Sequence, residues 1–212
     1  MHVKEKKAEG VKMGAIKTNG RTLWCLILIG FACIVPEGFT FETSGQRPGY
    51  SPHSPAPMGV SAVAQIEYNT GYVFEVLASY EARITVLEML RGEKAWDRVK
   101  AADRSNRPPQ VGFEYVLARI RFELSVVEDI DKRGYKVRPW RFIAVSSDGN
   151  YYDTPVVVVP KPALEADLKS GDCCEGWVVF LVAEDDNKPL MNFGRSPLCN
   201  DDEYLGIWFQ LY

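Results

Sequence analysis

Apolar and polar positions alternate with a period of two along much of the chain after residue 70, the pattern of strands with one face buried. Over Tyr80–Leu90, Ala82, Ile84 and Val86 alternate with Arg83, Thr85 and Leu87. Over Phe113–Val127, Tyr115, Leu117, Arg119 and Arg121 lie opposite Val116, Ala118, Ile120 and Phe122. Shorter segments of strand character are Tyr72–Leu77, Arg141–Ser146, Leu164–Leu168, Leu190–Phe193 and Gly206–Tyr212, with Pro155–Pro160 enclosing four valines. Gly176–Ala183 is a continuous apolar run and predicts a central strand buried on both faces. Asp148-Gly149, ahead of Tyr151-Tyr152, marks a tight turn, and Asp185-Asp186-Asn187-Lys188-Pro189 a second one.

One segment changes period. Gly92–Ser105 spaces Trp96, Val99 and Ala102 three residues apart among charges, which predicts an amphipathic helix with one docking face. Asn106-Arg107-Pro108-Pro109 ends it. Seven to nine short strands and a single helix point to an antiparallel sandwich of two sheets, with a closed barrel as the competing architecture.

The first 55 residues follow other rules. Leu23–Val35 (LWCLILIGFACIV) has no charge, follows a basic stretch and precedes a polar one, the order of a secretory signal. As a helix it reaches only about 20 Å, short of the ~30 Å hydrocarbon core, so a cleaved signal fits better than a membrane-spanning helix. Residues 1–35 are therefore expected to be a signal peptide or membrane anchor, with Met1 or Met13 as the start. Ala32-Cys33 places a small residue before a cysteine, as lipoprotein processing requires, although Gly30 stands where leucine is usual; Cys33 is a candidate lipidation site. Residues 36–55, rich in Pro, Gly and Ser, are expected to be a linker, and 56–212 the folded domain.

Composition supports this division. The chain is 46% hydrophobic and 25% charged, with 10 Tyr, 10 Phe and 5 Trp, a balance that suits β structure. Residues 1–21 hold six of the 25 basic side chains and two of the 28 acids, so the remainder is acidic and carries no footprint for nucleic acid.

Within 56–212 several stretches occur in a familiar order. These are Pro55-Ala56-Pro57-Met58-Gly59, Val86-Leu87-Glu88 with Arg91-Gly92 and Ala95-Trp96, Pro108-Pro109 with Gly112-Phe113-Glu114-Tyr115, Ser147-Asp148-Gly149, Glu175-Gly176-Trp177-Val178-Val179-Phe180, and Ile207-Trp208-Phe209. The set resembles the telokin-like, immunoglobulin-fold domain of unknown function of bacterial secreted proteins and lipoproteins, related to the immunoprotective extracellular antigens. The resemblance implies an all-β, immunoglobulin-like antiparallel sandwich with one short inserted helix, outside the cytoplasm, and brings no catalytic residues with it. Cys173-Cys174 departs from the family pattern, where glycine or polar residues are usual.

The candidate chemistry is sparse. The two histidines are His2 and His53, both before residue 56, so the domain lacks histidine-based nucleophile activation and histidine-built zinc sites. Cys25 and Cys33 fall in the signal. In an oxidising compartment Cys199 is expected to pair with one of Cys173 and Cys174, which strain hinders from bonding each other; Cys174 is favoured, and the bridge is worth about 3 kcal/mol. Glu128-Asp129-Ile130-Asp131, Asp185-Asp186-Asn187 and Asp201-Asp202-Glu203 offer oxygens to calcium but lack EF-hand spacing, and solvated turns are the simpler reading. Trp140, Tyr151 and Tyr152 flank turns, as an exposed recognition surface or a packed corner, whereas Trp177, Phe180, Trp208 and Phe209 read as core. No cofactor, metal or catalytic residue is assigned. The expected function is a non-enzymatic extracytoplasmic binding module for an unknown protein or cell-envelope ligand, touching membrane only through its N-terminal segment. The alternatives are a hydrolase accessory using Asp/Glu pairs and a calcium-stabilised spacer.

Overall fold

The computed structural model describes residues 47–69, 76–129, 134–194 and 206–212. The expectations for the signal, Cys33 and the first part of the linker lie outside the described residues. The strands in chain order are β1 (Ser61–Asn69), β2 (Val76–Arg91), β3 (Phe113–Asp129), β4 (Tyr135–Val137), β5 (Phe142–Val145), β6 (Ala166–Leu168), β7 (Cys173–Ala183), β8 (Leu190–Phe193) and β9 (Ile207–Gln210). The helix α1 spans Glu93–Ala102, between β2 and β3.

The protein is an all-β antiparallel sandwich with this one helix. One layer is the sheet β1-β2-β3-β7. The other is made of β5-β8-β9 with the small pair β4-β6 beside it. β5 lies against β7 and β9 against β1, so each long side of the sandwich is flanked by two edge strands facing one another.

The period of two places the core. Ala82, Ile84 and Val86 of β2 point inward with Val116, Ala118, Ile120, Phe122 and Leu124 of β3. Phe122 stacks on Tyr135 with ring centroids 5.6 Å apart and meets the edge of Phe193 at 5.7 Å. Such offset and edge-to-face pairs add about 0.5–1.5 kcal/mol each beyond burial.

The outer face of the long sheet is only half wet. Tyr115 and Leu117 of β3 and Trp177 and Val179 of β7 are buried there beneath Ala95 and Val99 of α1. The docked face of the helix is thus turned from the expected one, with Ala95 in place of Ala102, because the contact runs along i and i+4. Arg98 lies 4.5 Å above the Trp177 ring and Trp96 stacks on Tyr115. Further along the same face Arg119 pairs with Glu88 and Glu175, and Arg121 with Glu123. Pairs this exposed add roughly 0–1 kcal/mol each.

Three expectations are corrected, and two strands outside the predicted set are added. Gly176–Ala183 lies in an edge strand, not a central one; it reads as doubly buried because α1 covers its outer face. Pro155–Pro160 forms no strand: both ends lack an N–H donor, and the N–H and C=O of Val158 between them bond to the Asn106 side chain. β1 escapes the pattern because its inward residues Ala62 and Ala64 carry little apolar signal, and β4 because it is three residues long. Finally, the end of the Pro/Gly-rich stretch is folded onto the sandwich. Trp208 N–H donates to the Gly49 carbonyl, Ala56 N–H to Trp208 and Gln210 N–H to Ala56, while the Tyr50 hydroxyl donates to the Val63 carbonyl. Gly49, at φ +95°, is required there, since a Cβ would stand 2.6 Å from that of Ala62.

Candidate functional site

The side of the sandwich where β5 faces β7 is closed by loop, and the closure is incomplete. Tyr152 N–H donates to the Ala144 carbonyl, and a bridge joins Tyr151 to Val145, so the turn after Ser146 caps the edge of β5. A strap formed by Pro162–Leu164 runs parallel to β7: Trp177 N–H donates to Pro162 at 2.8 Å and Leu164 N–H to Trp177 at 3.0 Å. Between cap and strap lies a groove of about 170 Å³, lined mainly by Trp140, Phe142, Tyr152, Val157, Val159 and Phe180.

The lip of this groove is apolar and exposed. Trp140 follows Pro139 in a single 3₁₀ turn, Pro139–Arg141, and is 59% exposed, its ring held 4.6 Å from the Arg141 guanidinium. The valine segment presents Val156 and Val158, 101% and 49% exposed, while Val157 and Val159 pack beneath it. Asn106, just beyond α1, fixes this register. Its amide donates to the Val99 and Val158 carbonyls, and its carbonyl oxygen accepts from Val158 N–H at 2.8 Å. The helix-stopping residue of the sequence is therefore also the clamp that turns two valines outward.

At one end of the groove the polar groups are occupied in holding loops together. The Asp186 carboxylate, 8% exposed, accepts from the Tyr152 hydroxyl at 2.8 Å and from the backbone N–H groups of Ser147 and Lys188. Arg91 donates to the Asp186 carbonyl and pairs with Glu114. Burial alone pushes the Asp186 carboxyl up, but hydrogen bonds from Tyr152, Lys188 and Ser147 outweigh it and hold its pKa below the usual value. Tyr152 is pushed up to about 12 by burial first and then by its bond to that carboxylate.

Of the sequence candidates, Trp140 and Tyr152 meet at this groove, and Tyr151 is exposed on the adjoining turn. Trp177, Phe180, Trp208 and Phe209 are buried. Asp186 joins the two loops instead of opening towards a cation. Among the described residues no group of three or more His, Cys, Asp or Glu stands together as a metal site. Asp131 and Asp201-Asp202-Glu203 lie outside the described residues.

The expected Cys174–Cys199 disulfide finds no support. Cys173 and Cys174 are free thiols, and Cys199 lies outside the described residues. Neighbours in a strand face opposite ways: Cys173 is exposed, and Cys174 packs against the core, where burial and then the neighbouring Cys173 push its thiol up to about 11.

The fold and groove define an all-β sandwich domain with an apolar cleft at one open side. No family model matches the chain, and no curated protein matches it. A crystal structure from Bacillus subtilis subsp. subtilis str. 168, described as a "putative lipoprotein (ycdA)", is similar at 10% identity with a TM-score of 0.40. That match covers 61% of this chain and 35% of the other, so the chain spans about a third of that protein's length.

Proposed function

We propose that the chain is an exported, non-enzymatic binding module, secreted or held at the cell surface, that takes a protein or cell-envelope ligand at the groove between β5 and β7. The observation that carries this reading is the exposure of Trp140, Val156 and Val158 around one apolar cleft, on positions that turn geometry and the Asn106 clamp hold fixed. A rigid aromatic beside a preformed apolar pocket is the composition of binding hot spots. Export is supported by the uncharged Leu23–Val35 stretch behind its basic flank, and Cys33 is the residue through which a lipid anchor would be attached. The ordered motifs that resemble the telokin-like family of secreted proteins and lipoproteins support the same home.

The test compares the full chain with a Trp140→Ala/Val158→Asp variant for retention on the organism's own envelope fraction. Both side chains are exposed, so the variant is expected to melt as the parent does while retention falls at least tenfold. Equal retention at equal stability overturns the assignment of the groove. Turnover of a hydrolase substrate panel that a carboxylate substitution abolishes overturns the non-enzymatic reading and favours an Asp/Glu site.

A further inference from the structure

The edge of β7 contains a gap in its hydrogen bonding. Trp177 directs both its N–H and its C=O away from β3, to the strap. The β3–β7 register runs without a shift from Phe113↔Ala183 to Glu123↔Cys173, so alternate residues repeat that direction and Val179 and Leu181 also point outward. At the far end Ala183 is engaged, its carbonyl accepting from Asp186 N–H. Between these two ends the four backbone groups of Val179 and Leu181 have no partner among the described residues. The valine segment passes this edge without a backbone hydrogen bond to it, and both backbone groups of Val158 are turned to Asn106. Val179 is only 5% exposed, and a buried peptide group left unpaired costs about 1–3 kcal/mol.

We infer that this gap is a strand-addition site: the ligand is an extended segment of a partner polypeptide that pairs with Val179 and Leu181 and places one large apolar side chain in the groove beside Phe180. The inference rests on the groove being the binding surface and specifies what occupies it. Three observations select an extended peptide over a lipid or a small apolar molecule. The unmade bonds are backbone groups at strand spacing, which another strand satisfies together. The edge already accepts parallel backbone pairing, since the chain's own Pro162–Leu164 bridges to Trp177 one step earlier, and the guest continues that pairing. The free stretch is two outward-facing residues long and bounded at both ends, which limits the guest to a short segment. Trp140 and the exposed valines then cover the guest's flanks.

The experiment selects binders from a displayed library of random dodecapeptides on the full chain, then measures each peptide with and without N-methylation at alternate residues. Hydrogen exchange is followed at β7. The expected result is that the Val179 and Leu181 amides exchange faster in the free chain than those of Val178 and Phe180, which β3 holds, and that bound peptide slows them. N-methylation in the register that faces β7 should weaken binding roughly thirty-fold, as for two lost hydrogen bonds, and in the other register far less. Leu181→Pro provides a second route. It removes an outward N–H that β3 does not use, and should abolish peptide binding while the β3 ladder keeps its protection. Peptides that depend on Trp140 but ignore N-methylation in both registers overturn strand addition and leave the binding groove standing. If no peptide is enriched over the Leu181→Pro chain, or the Val179 and Leu181 amides are as protected in the free chain as those of Val178 and Phe180, the inference fails outright.

Discussion

Gly176 offers a test in which intrinsic propensity and packing predict opposite signs. It sits in β7 with ordinary strand geometry, so Gly176→Ala should on conformational entropy alone stabilise the protein by about 0.5–1 kcal/mol. The strap decides otherwise. A Cβ on Gly176 would stand 2.4 Å from the Ala163 carbonyl carbon and the Leu164 nitrogen, which are backbone atoms that cannot rotate aside. Relieving the clash lifts the strap, which removes the two hydrogen bonds at Trp177 and withdraws Leu164 from the core, where it is fully buried. Two bonds at about 1 kcal/mol each and the partial exposure of a leucine worth about 2 kcal/mol give a loss of about 3–4 kcal/mol. In urea, with a slope of about 2 kcal/mol/M for a domain of this size, the midpoint should fall by about 1.5–2 M. Gly149→Ala is the control: its added methyl meets nothing within 4 Å, and only its φ of +87° opposes the change, at about 1 kcal/mol. A Gly176→Ala midpoint at or above the parent's refutes the argument, because the strap then does not press on β7.

Three further outcomes concern Tyr152, its carboxylate partner and the cysteines. Tyr152→Phe removes a hydrogen bond to a buried carboxylate and should cost about 2 kcal/mol at pH 7. The neutral phenol is the favoured form in the fold, so its contribution is whole below the ordinary tyrosine pKa of about 10 and is lost as pH rises to about 12; the stability gap between parent and variant should close over that window, and a constant gap refutes the assignment. The depressed Asp186 carboxyl works in the opposite sense, its contribution being present above the ordinary carboxylate pKa and lost as pH falls through the lowered value. For the thiols, peptide mapping after brief alkylation of the native chain at pH 7.5 should find Cys173 modified and Cys174 modified only after unfolding, since Cys174 is half-buried with its pKa pushed up to about 11. Equal labelling contradicts the placement of β7.

Much of the architecture was legible in the chain. Alternation over residues 80–90 and 113–127, a change of period at Trp96 and Val99, and turn residues at Asp148-Gly149 led to an all-β sandwich with one helix, because one-sided burial imposes a period of two on strands and a longer one on helices. Trp140, Tyr151 and Tyr152 were legible as a surface candidate because they flank turns, where the chain runs over the surface.

What the pattern could not contain was which partner each strand or loop meets. Gly176–Ala183 reads as central because it is apolar on both faces; only the docking of Ala95 and Val99 shows that an edge strand can read the same way. Four consecutive valines between prolines carry no sign of which two face outward, since that phase is set by Asn106, some fifty residues away in sequence. Asp186 reads as an acid in one of three acidic clusters, and its burial depends on Tyr152 and Ser147 arriving from another turn. Periodicity is a local record of burial, so the sequence by itself determined which elements form. The edge, the gap and the groove arise from contacts between residues far apart in the chain, and only the tertiary structure decided them.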